Sequence, residues 1–160
     1  MKNLLVFLFV CITRAVLAQN SATGYIEQYK ELAIKEMREH GVPASIVLGV
    51  AMHESGNGTS RIARVFNNHF GMKGPNYNQE MRSRYKSYDS AATSYADFSM
   101  MLKSRKRFSP LFDTCSIYDY KAWVLGMQRG RYAANKAWAS RVVAIIKKYN
   151  LYEYDNRPAD

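Results

Sequence analysis

The chain has 160 residues, 48% of them hydrophobic, and a formal charge of +10. That length suits one ordinary domain able to bury its own core, with no internal repeat, linker or low-complexity stretch to divide it. A strongly basic balance draws a protein towards polyanions or acidic surfaces. In chain order, Lys2 and the apolar run Leu4–Ile12 read as a secretory leader, too short to span a bilayer. Val16-Leu17-Ala18 predicts cleavage before Gln19, leaving residues 1–18 as signal peptide and 19–160 as the domain. Phe9 and Val10 are bulky where a lipid-attachment site at Cys11 wants small residues, which argues against lipidation. Export separates the protein from nucleic acid, so an anionic envelope or wall polymer is the expected partner. Only Cys115 survives cleavage, so no internal disulfide forms and the core must hold the fold. No later stretch is apolar enough for an integral membrane span.

Ile26, Tyr29, Ala33 and Met37 recur at helical spacing and predict a helix from Tyr25 to about Glu39, ended by His40-Gly41. Pro43 then opens a second helix, apolar nearly all round and therefore central and buried. Ser60 to Val65 reads as a short helix. From Asn67 to Tyr88, Gly71, Gly74, Pro75, Asn76 and Asn78 break helices while aromatics alternate with polar residues, which predicts a small β lobe. Helices return over Ser90–Lys103, Tyr118–Gln128 and Asn135–Tyr149, with Asn135 as N-cap and Gly130 and Asn150 as stops. The expected fold class is α+β: a mostly helical domain with a small β lobe inserted after the second helix.

Glu54 ends the central apolar helix and opens the polar turn Ser55-Gly56-Asn57-Gly58. Apolar surroundings and the negative end of a helix dipole both favour a protonated carboxyl. A carboxylic acid held protonated near neutral pH is what glycoside cleavage requires of its general acid. Between Glu54 and Asp89 the sequence holds one further acid, Glu80, placed to activate water or stabilise an oxocarbenium-like transition state. The substrate's own 2-acetamido group is the alternative second reactant. His53 and His69 lack the additional Cys or His ligands that a metal centre needs, so neither metal nor cofactor is expected. The densest basic cluster is Lys103, Arg105, Lys106 and Arg107.

Several short stretches occur in a fixed order: Pro43-Ala44-Ser45-Ile46, Glu54-Ser55-Gly56-Asn57-Gly58-Thr59-Ser60, Asn67-Asn68-His69-Phe70-Gly71-Met72-Lys73, Tyr88-Asp89-Ser90, Asp119-Tyr120-Lys121-Ala122-Trp123 and Tyr132-Ala133. In this the chain resembles glycoside hydrolase family 73, the bacterial wall N-acetylglucosaminidases that include the flagellar peptidoglycan-hydrolase domain. The resemblance runs from about Tyr25 to Asp155. It implies a lysozyme-like α+β fold and hydrolysis of the β-1,4 bond after N-acetylglucosamine in peptidoglycan. A monomer in the periplasm, cell envelope or extracellular space is expected. On this resemblance Glu54 matches the general acid and Tyr132 a cleft tyrosine. Asn67, Asn68 and Phe70 would line the cleft floor and, with Asn135, contact substrate. The chain departs from the family at Asn57, where Trp is frequent, and at Ala134, Lys136 and Trp138, where Thr, Pro and Tyr are common. A muramidase or lytic transglycosylase of the same fold, and a wall-binding module without turnover, are the competing readings.

Overall fold

A computed structural model describes residues 22–79 and 81–156. The expected signal peptide and Glu80 lie outside the described residues. The first helix, α1, covers residues 22–40 and ends at Gly41, whose φ of 75° suits a residue without a side chain. Helix α2 (Ala44–Ser55) follows with Pro43 as its N-cap. Residues Ala44 to Met52 are all buried, as expected of a helix apolar on every side. α3 is Arg61–Phe66 and α4 is Ala91–Ser104, capped by the hydroxyls of Ser60 and Ser90. A single-turn α5 (Leu111–Thr114) was not expected from the sequence. α6 (Tyr120–Arg129) is capped by Asp119.

Helix α7 is Trp138–Lys148, three residues shorter at its start than the pattern suggests. There Asn135 Oδ1 accepts from the Ala137 amide and its carbonyl from the Trp138 amide, so Asn135 forms the turn before the helix. A closing 3₁₀ turn (Leu151–Asn156) follows Asn150, which takes a left-handed φ of 51°.

The core is built around α2, which packs most widely against α7 and the closing turn. A Cβ at Gly49 would lie 2.7 Å from Ile146 Cγ1, so glycine there sets how closely α2 and α7 approach. The N-terminus of α2 is held from the far end of the chain. Asp155 accepts from the Ser45 amide at 2.8 Å and from its hydroxyl at 2.6 Å, completing orphan donors of the first turn.

The segment between α3 and α4 corrects the expected β lobe. Among the described residues its only β pairing is one antiparallel bridge, Lys73 with Tyr85. The rest is irregular because short polar side chains take the backbone partners that a ladder would use. Asn76 Nδ2 donates to the Tyr85 carbonyl, Asn78 Oδ1 accepts from the Met81 amide, and Ser87 Oγ accepts from the Tyr77 amide. The fold is therefore mostly helical with an irregular lobe.

Candidate active site

Glu54 occupies the last turn of α2, where the helix ends in a Schellman arrangement. Gly56 sits in the left-handed region at φ 58°, its amide donates to the Met52 carbonyl, and so does the amide of Asn57. Ser55 locks the turn from inside: its hydroxyl donates to the Ala51 carbonyl and accepts from the Gly58 amide. The backbone bearing Glu54 is thus rigid up to the point where the chain leaves the helix.

The side chain of Glu54 is half-buried and anchored at one oxygen. Trp138 Nε1 donates to Oε1 at 2.8 Å. Among the described residues Oε2 takes no hydrogen bond and lies on the side of Gly71, where an added Cβ would come within 3.9 Å of it. Gly71 has φ 63°, so its backbone turns beside the carboxyl without a side chain to crowd it. Two cavities meet here, of about 420 Å³ and about 200 Å³, and both are lined by Glu54, Gly71 and Lys73. Glu54 is the only carboxylate among the described residues lining either of them. The carboxyl therefore lines two cavities at once.

Tyr132 closes the larger cavity from the helical side. α6 ends in a second Schellman arrangement: Arg131 is left-handed at φ 57°, and the Tyr132 amide donates back to the Met127 carbonyl. This turns Tyr132 inward. Its hydroxyl makes a long hydrogen bond of 3.5 Å to the Phe70 carbonyl, and its ring packs on Trp138 with centroids 5.0 Å apart. Burial raises the phenol's pKa well above the ordinary value, and the charge of Glu54 raises it further. The hydroxyl is protonated throughout the neutral range.

The structure brings Glu54, Phe70 and Tyr132 to the larger cavity and Asn68 to the smaller. Phe70 is buried and stacks on Phe98 at 4.2 Å. Asn68 is 1% exposed, and its amide is committed within the lobe. Its Nδ2 donates to the carbonyls of Met72 and Lys86, and its Oδ1 accepts from the Met72 amide. Asn67 donates to the Tyr88 carbonyl, and Asn135 is exposed in the turn before α7. Neither lines the two cavities.

Trp138 is the contact that sequence pattern missed. It reads as part of the apolar stripe of the last helix, which it is, at 2% exposure. The available signal was chemical: a buried indole N–H needs an acceptor. Among the described residues there is no His, Cys, Asp or Glu cluster fit to hold a metal ion.

A family model described as mannosyl-glycoprotein endo-beta-N-acetylglucosaminidase matches residues 30–151. The exo-glucosaminidase LytG of Bacillus subtilis is 28% identical over 137 residues, covering 72% of this chain. The chain spans about half (47%) of the length of that relative. Among solved structures, the catalytic domain of the Listeria monocytogenes autolysin Auto superposes with a TM-score of 0.71 at 22% identity, covering 84% of this chain and 88% of that one. An N-acetylmuramoyl-L-alanine amidase from Staphylococcus aureus gives 0.75 at 22% identity, over 88% of this chain and 45% of that one. The glycoside hydrolase domain of Salmonella typhimurium FlgJ gives 0.67 at 18% identity, over 82% and 90%. These structures share the mostly helical, lysozyme-like fold. With the family model covering most of its length, the chain belongs to the glucosaminidase family of glycoside hydrolases, family 73.

Proposed function

We propose that the protein is an exported peptidoglycan hydrolase that cleaves the β-1,4 bond after N-acetylglucosamine, with Glu54 as general acid. The observation that carries this reading is the position of Glu54 at the junction of two cavities, with one oxygen tied to Trp138 and the other turned to the groove. A glycan strand lying through both cavities presents a glycosidic oxygen to Oε2, which delivers its proton as the bond breaks. Glu80 in the lobe is the proposed second carboxyl, activating water on the opposite face of the sugar. The substrate's acetamido group is the alternative nucleophile. Tyr132, held as a neutral phenol beside the acid, orients the reacting sugar through its hydroxyl.

Phe70 and Asn68 shape the floor. Asn67 Oδ1 and Asn135 Nδ2, which make no hydrogen bond among the described residues, are the proposed polar contacts to the strand. Residues 1–18 serve as the export signal, 19–160 as the catalytic domain, and the domain acts as a monomer without a cofactor. The basic surface favours an anionic wall most at low salt.

Replacement of Glu54 by Gln, assayed by reducing ends released from purified peptidoglycan, is expected to lower turnover by roughly 10²–10⁴-fold with folding unchanged. Near-normal hydrolysis by that variant would overturn the assignment. Mass spectrometry of the products separates the enzymatic alternatives: a reducing N-acetylglucosamine end supports this reading, whereas a reducing or anhydro N-acetylmuramic end points to a muramidase or transglycosylase. Loss of turnover by folded Glu80→Gln supports the two-carboxyl route, and full activity supports the acetamido route.

A further inference from the structure

The larger cavity carries more cationic than anionic side chains in its lining. Beside Glu54 it is lined by Lys73, Arg105 and Arg107. Among the described residues none of the three forms a salt bridge; the recorded pairs lie elsewhere, on α1 and at Lys86–Asp97. Their backbones are held in place. Lys73 sits in the antiparallel bridge to Tyr85. Arg105 caps α4 through its amide to the Met101 carbonyl, and its own carbonyl accepts from the amides of Phe108 and Ser109.

Arg107 stands with its guanidinium 4.9 Å from the centroid of the buried Phe108 ring. This turn presses on the end of α6: a Cβ at Gly130 would meet Phe108 at 2.6 Å and the Arg107 carbonyl at 3.0 Å. The same α6 terminus delivers Tyr132, and Arg105 is near enough for its charge to act on that hydroxyl. Lys103 and Lys106 belong to the same basic run but do not line the cavity.

A neutral N-acetylglucosamine oligomer offers no counter-charge to this wall. The alternate sugar of a bacterial wall strand does, because its lactyl ether ends in a carboxyl, either free or extended by a peptide that carries carboxylates of its own. Resting on the wall-hydrolase reading above, we propose that Arg105 and Arg107, with Lys73, form an anion subsite that takes a carboxylate of the lactyl-bearing sugar and so sets the register of the strand across Glu54. Guanidinium forks suit that partner, since they meet a carboxylate with two parallel hydrogen bonds.

The test compares wild type with Arg105→Gln/Arg107→Gln on three substrates: peptide-bearing glycan, glycan stripped of peptides so that the lactyl carboxylate is free, and stripped glycan whose carboxyls have been converted to amides. Wild type is expected to show a KM roughly tenfold lower on the stripped strand than on its amidated form at low salt. In the double variant that ratio should fall towards one. A preference confined to the peptide-bearing strand assigns the subsite to peptide carboxylates; a preference retained on the stripped strand assigns it to the lactyl group. Lys103→Gln/Lys106→Gln carries the same charge change away from the cavity and should keep the wild-type ratio. Equal discrimination among all three substrates by wild type and the arginine variant, or the same loss from the lysine variant, would overturn the proposal.

Sedimentation with insoluble wall in a Glu54→Gln background reads the same preference without turnover. A failure of the hydrolase assignment is thereby separated from a failure of the subsite: without catalysis, binding must still weaken on removal of the two arginines.

Discussion

The two sides of the groove are built by different means. On the helical side, α2, α6 and α7 bury apolar faces against one another, and the site residues stand where two of those helices end. Glu54 is on the last turn of α2 and Tyr132 just past α6, each fixed by a Schellman terminus. On the lobe side regular structure is almost absent. Gly71 and Lys73 are held by one β bridge and by side-chain amides that reach backbone groups, above all Asn68. The difference teaches that position is specified by burial on one wall and by hydrogen-bond satisfaction on the other. The first tolerates polar change at its surface, and the second depends on a few groups having no substitute.

The seam between the two sides offers the largest test. His69 of the lobe shares a 2.8 Å hydrogen bond with the Tyr25 hydroxyl on α1, which in turn meets the Tyr95 hydroxyl on α4 at 2.9 Å. Burial lowers the imidazole's pKa to about 4. An unfolded chain therefore takes up this proton near pH 6.5 while the folded one resists, so stability is complete above pH 6.5 and is lost as pH falls towards 4. The loss is expected to reach roughly 2–3 kcal/mol.

Asp155, under the helical side, runs the other way. Burial raises its pKa to about 6 although the Ser45 hydrogen bonds oppose the rise. Its folded state gains protons before the unfolded one, so acidification from pH 6 towards 4 stabilises through this group. Thermal unfolding against pH for His69→Gln and Asp155→Asn checks the pair: the first should flatten the acid loss, and the second should steepen it.

Asn68→Ala is the next test. It leaves the Lys86 carbonyl and the Met72 amide without their partner, while the Met72 carbonyl keeps only the Lys86 amide, at an expected cost of about 2 kcal/mol. Hydrogen exchange should quicken across residues 67–88 while the α2 amides stay protected. Uniform acceleration in both regions would show that the sides are not independent. The smallest effect is expected from Trp138→Phe, which keeps an aromatic body but removes the donor to Glu54 Oε1. Turnover should drop about tenfold, near 1.4 kcal/mol, when reducing ends released from purified peptidoglycan are measured.

The helical side was largely legible in the sequence. The all-round apolar run from Val42 to Met52 marked the central helix, and Ser60, Ser90, Gly41 and Gly56 stand at the ends that their chemistry favours. The lobe was legible only as a break in helical pattern. Its alternation suggested strands, but the side chains of Asn76, Asn78 and Ser87 bond to backbone within the lobe, and periodicity carries no record of that competition. In the candidate site, Glu54 could be singled out because its position in a helix is read locally. Its contact to Trp138 crosses 84 residues, and the cavity-facing members of the basic run differ from their neighbours only in three dimensions.

The clamp on α2 has a bearing on how the molecule is made. The helix that carries the acid is tied at its beginning by Asp155, a residue 110 positions later. Chains are synthesised from the N-terminus, so every proposed site residue emerges before the group that secures the helix bearing Glu54. A nascent chain halted before Asp155 holds every proposed site side chain while the first turn of α2 is still unsatisfied. Locking of Glu54 is thereby coupled to arrival of the last described turn, long after the helix that carries it has been made.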